Sequence, residues 1–145
     1  MEVHGMHAVN WLMNGAPRAS KASDAVRWWE LRRIPYNIIV GTVGVVSLVF
    51  MELIGSTVVR PGEDFEEPLG LIFGAILFGF FANIGYTMGW ILELRLPAEN
   101  AELRRAFRTK NFRRGIFWSC ALASTPVWLS LFALASHEAG RWLGQ

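Results

Sequence analysis

Three long apolar runs separated by polar stretches set the pattern of this chain: Ile38 to Val59, Leu69 to Leu92 and Gly115 to Ser136. The first contains one residue charged at neutral pH, Glu52, and the other two contain none. An α-helix rises ~1.5 Å per residue, so about 20 residues cross ~30 Å of hydrocarbon. Each run meets that length. The pattern predicts an all-α integral membrane protein with three transmembrane helices, over 38–59, 69–92 and 115–136, in a single membrane domain 1–145. A basic segment, 1–37, leads into the first helix, and a basic loop, 93–114, joins the second to the third.

The polar stretches predict short amphipathic helices on the inner face. One ends near Ile34, where Pro35 turns the chain into the first span with its missing N–H at no cost; a continuous kinked helix satisfies the same pattern. The second is PAENAELRRAFRTKNF, with Pro97 in its first turn, Glu99 and Glu102 near its positive end and Leu103 and Phe107 as an apolar i, i+4 pair.

Composition supports the membrane class: 52% hydrophobic residues, fourteen glycines and seven tryptophans. No short basic lead followed by an apolar core opens the chain, so the first span is expected to be retained. The single cysteine, Cys120, excludes an intramolecular disulfide and any CxxC redox or zinc pattern. A net charge of +2 is too small to point to nucleic acid.

Charge layout says more than net charge. Residues 1–37 carry five Lys or Arg, the loop 93–114 carries seven, and the first loop, RPGEDFEEP, carries one against four acids. Basic flanks resist translocation, so the amino terminus and the second loop are expected in the cytoplasm, and the acidic loop and carboxy terminus outside. Trp28, Trp29, Trp90 and Trp118 then all fall at the inner edge, where an indole keeps its ring in apolar surroundings and its N–H near water. On this reading RWWELRR is an interfacial anchor. Arg104, Arg105, Arg108, Lys110, Arg113 and Arg114 are the candidate contacts to an anionic inner leaflet or to a protein partner.

Within the spans, small and polar residues mark candidate contact faces. Gly41, Gly44 and Gly55 share an arc with Glu52 on the first span, and Gly70, Gly74, Gly85 and Gly89 form two GxxxG pairs on the second. Glu52, Ser130 and Asn83 are the candidate intramembrane polar site, with Glu52 and Ser130 at depths that let them meet. A carboxylate this deep costs a few kcal/mol, and the apolar residues of its span offset that. It is therefore expected to be protonated, hydrogen-bonded or facing water. The STP triplet, Ser124 to Pro126, predicts a kink whose freed carbonyl a hydroxyl can satisfy.

His4 and His7, with Met1 and Met6 nearby, have donor types suited to Cu(I), but Val3, Met6, Val9 and Met13 describe a lipid-facing strip equally well. No metal or other cofactor is expected. No Ser-His-Asp order, phosphate loop or HExxH is present, so no catalytic role is expected for the chain alone. Two functions fit: an interaction or scaffold subunit of a membrane complex, and a homo-oligomeric channel, transporter or membrane-permeabilising pore with Glu52 lining the path.

Overall fold

The structure is a computed structural model that describes residues 10–12, 21–58 and 68–144. It contains helices α1 (Ala22–Val58), α2 (Pro68–Leu94), α3 (Ala101–Ala123) and α4 (Thr125–Leu143), and no strand among the described residues. Three helical stretches are long and apolar enough to cross a membrane: α1, α2, and α3 continued by α4. Large apolar side chains cover their surfaces, among them Val45, Val49 and Leu53 on α1, Phe73, Ile76 and Phe80 on α2, and Leu129 and Phe132 on α4. A soluble monomer rarely exposes so much contiguous apolar area.

The surface helices expected from the sequence are absorbed into the long ones. Pro35 lies inside α1. Its missing N–H interrupts one link, that to the carbonyl of Leu31, but the turns on either side hold the helix together. The basic stretch after Pro97 likewise runs directly into the third apolar run as α3. Asn100 caps this helix, its side-chain oxygen accepting the Leu103 N–H at 2.9 Å. Arg104 ties the preceding turn, donating from Nη2 and Nε to the Leu96 carbonyl at 2.6 and 3.2 Å.

At the STP triplet α3 ends at Ala123 and α4 begins at Thr125. Ser124 donates to the Ala121 carbonyl at 2.8 Å, and Ser130 to the Pro126 carbonyl at 2.9 Å. The Val127 N–H finds its acceptor on another helix, the Ser47 hydroxyl of α1, at 3.2 Å. Ser47 is buried and Val127 half-buried, so a part-buried hydrogen bond ties the break to α1.

Contacts gather the described residues into two compact units. One comprises those up to Ile38 with Phe81–Trp118, the other Ile39–Phe80 with the chain from Ser119 onward. The first holds most of the large buried side chains, including Trp28, Trp29, Arg32, Tyr36, Tyr86, Glu93, Arg108 and Phe112. The second buries smaller groups: Val40, Ser47, Met51, Ala123 and Ser130.

Candidate functional site

In the first unit an ion pair lies inside an aromatic shell. Glu93 and Arg108, from α2 and α3, are both 0% exposed. Arg108 Nε donates to the two carboxylate oxygens at 3.0 and 2.9 Å, and Nη2 donates to Oε1. From α1 the Trp29 indole N–H donates to Oε2 of the same carboxylate at 2.7 Å. One acid therefore joins three helices. The Tyr86 hydroxyl donates to the Trp29 carbonyl, and Trp29 meets Trp28, Tyr86 and Phe112 edge to face, with centroids 5.3, 5.3 and 6.0 Å away. The remaining Arg108 nitrogen, Nη1, is buried without an acceptor, and the guanidinium carbon lies 5.4 Å from the Trp28 ring centroid.

Arg32 forms a second cation centre beside this cluster. Its guanidinium carbon lies 4.0 Å from the Trp28 ring and 4.2 Å from the Trp11 ring, and it donates to the carbonyls of Trp11 and Leu12. Residues 10–12 are helical, so both acceptors are backbone oxygens of that helical segment. Arg32 precedes the first apolar run, and burial lowers its pKa to about 10, so it stays charged at neutral pH.

These contacts correct the anchor reading of RWWELRR. Trp28, Trp29 and Arg32 are 3%, 2% and 2% exposed. Their rings and guanidinium serve the protein interior. Trp118, by contrast, is 63% exposed and remains available to an interface. The basic cluster is corrected in the same way: Arg108 and Arg104 are buried, one neutralising Glu93 and the other holding the Leu96 turn. Arg105, Lys110, Arg113 and Arg114 are exposed and make no hydrogen bond or ion pair with another described residue.

Within the second unit no hydrogen bond joins Glu52 to Ser130. Glu52 is exposed on α1 and makes no hydrogen bond or ion pair with another described residue. Ser130 is buried and donates to its own helix. Asn83 exchanges amide hydrogen bonds with Asn37, at 3.0 and 3.3 Å. The glycines divide too. A Cβ on Gly89 would stand 2.9 Å from the Trp29 ring, and one on Gly44 would just touch Ala123 at 4.0 Å, whereas Gly41, Gly74 and Gly85 face open space. Gly55 is buried and Gly70 exposed.

Gly89 lies where the backbone has to make room for a bulky ring. Gly89→Ala is expected to cost about 1–3 kcal/mol by forcing Trp29 off the carboxylate. Gly85→Ala should change stability by less than ~0.5 kcal/mol. Unfolding titrations in detergent micelles measure both; equal effects would contradict this seating of Trp29.

Among the described residues no three His, Cys, Asp or Glu side chains converge as a metal site. His4, His7, Met1 and Met6 lie outside the described residues, as does the acidic first loop. The Glu93–Arg108 pair is hidden in the sequence because Glu93 counts there simply as one acid of a basic loop. Its one signal is its position, an acid directly ending an apolar helix and followed by a short turn. Comparison of the chain with family models, with curated proteins and with solved structures gives no match.

Proposed function

We propose that this chain is a non-catalytic, multi-pass membrane subunit that assembles with another transmembrane helix through the face of α1 bearing Glu52. The distribution of Lys and Arg along the chain supports a cytoplasmic amino terminus and a carboxy terminus outside. The observation that carries the reading is an outward-facing carboxylate, without a partner among the described residues, inside a run of lipid-crossing length. Leaving a charge at that depth in lipid costs about 2.5–3.5 kcal/mol on insertion scales, and a hydrogen-bonding neighbour removes much of the cost. The surrounding face suits close helix approach, since Gly41, Val45, Val49, Glu52 and Ser56 recur at helical spacing and are all exposed. The second reading, a homo-oligomeric path for ions or small solutes lined by Glu52, rests on the same carboxylate and requires several copies.

Native mass in mild detergent tests the assembly. Wild-type chain is expected to run with further copies or a companion, and Glu52→Leu to release a monomer of unchanged helical content. A monomeric wild type, or an assembly indifferent to Glu52→Leu, would remove the basis of the proposal. Reconstituted wild type that passes ions, with Glu52→Gln altering the flux at fixed pH, selects the path reading over the scaffold one.

A further inference from the structure

We infer that the exposed basic ridge of α3 is a binding site for the headgroup of an anionic phospholipid. An open groove of about 770 Å³ runs along this helix, lined chiefly by Arg105, Thr109, Lys110, Arg113 and Arg114, with Glu102 at the end nearest the start of the helix. All four cations are exposed and none is neutralised by another described residue. The two other arginines of the cluster, Arg104 and Arg108, are spent on the fold. The groove thus presents a surplus of positive charge that the described residues leave uncompensated.

The ligand class is decided by the residues next along the same rows. Residues four apart on a helix stand above one another, so the rows Arg105, Thr109, Arg113 and Ala106, Lys110, Arg114 continue directly into Phe117 and Trp118. Both rings are exposed, at 65% and 63%, and they meet edge to face with centroids 5.4 Å apart. A ligand lying along this ridge meets cations and a hydroxyl first and bare aromatic surface next. A phospholipid has that order of chemistry, a phosphate followed by an acyl chain. An acidic peptide or a free phosphate would leave the aromatic end uncovered. Arg113 and Arg114 also abut the apolar run that begins at Gly115, which sets the cations at the depth where headgroup phosphates lie.

The test uses the whole chain in neutral detergent micelles, titrated with phosphatidylglycerol or phosphatidylcholine and weighed by native mass spectrometry. Each surface cation adds about fivefold to the affinity for an anionic lipid. Neutralising Lys110, Arg113 and Arg114 together, as Lys110→Gln, Arg113→Gln and Arg114→Gln, is expected to weaken phosphatidylglycerol binding on the order of 100-fold. A charge-matched control, Lys21→Gln, Arg27→Gln and Arg95→Gln, should retain binding, and helical content should match wild type in both variants. The inference fails if phosphatidylcholine binds equally well, or if the Lys110, Arg113, Arg114 variant holds phosphatidylglycerol like wild type. It also fails if inorganic phosphate at equal concentration displaces the lipid, or if the ridge proves to be held by a co-purifying acidic protein that the variant releases.

Discussion

Arg108→Leu is expected to destabilise the protein by about 3–5 kcal/mol, because it strands the Glu93 carboxylate in an interior with no exposure. The remaining polar neighbour would be the Trp29 N–H, one donor for a group that presently receives several. Glu93→Leu should cost at least as much, since it leaves a buried guanidinium unpaired and takes the acceptor from Trp29. The double replacement is expected to be far less harmful than the sum of the two. With both charges gone, what remains unpaired is the Trp29 N–H, worth about 1–3 kcal/mol. A double-mutant cycle in micelles, followed by unfolding titration, reads the coupling directly. Simple additivity of the two single variants would show that Glu93 and Arg108 do not depend on each other. Raising salt should leave the effect nearly unchanged, because a buried pair is poorly screened.

The number of apolar helical stretches is legible in the sequence because the bilayer-length criterion needs only a count of uncharged positions; their lengths are not, since the polar flanks continue the same helices. Which way each helix faces is not legible either. The glycines of the first span point to a contact face on the arc through Gly41, Gly44, Gly55 and Glu52. The buried stripe of α1 instead runs through Trp29, Arg32, Tyr36, Val40, Ser47 and Met51. Within the second unit Met51 is buried, and Glu52, about 100° round from it, is exposed. The roles of the arginines are hidden for a different reason. Along the chain Arg104 and Arg108 are indistinguishable from Arg105 and Lys110, and only the return of α2 and the 95–100 turn beside α3 shows which cations have an internal partner.

Trp29 gives the sharpest contrast between an interior indole and an interfacial one. Trp29→Ala is expected to cost about 3–5 kcal/mol, from lost apolar burial and the cavity left among Trp28, Tyr86 and Phe112. Trp29→Phe keeps most of the ring contact and deletes only the donor to Glu93, a bond to a charged acceptor, for about 1.5–3 kcal/mol. Trp118 borders the same kind of apolar run and reads alike in the sequence, yet Trp118→Ala should change folding stability by less than ~0.5 kcal/mol, because its ring is exposed. Tryptophan fluorescence and unfolding titration of the three variants, in the same micelles, separate the two environments. If Trp29→Ala and Trp118→Ala lose stability equally, Trp29 faces the interface after all, and the three-helix junction on Glu93 has to be redrawn.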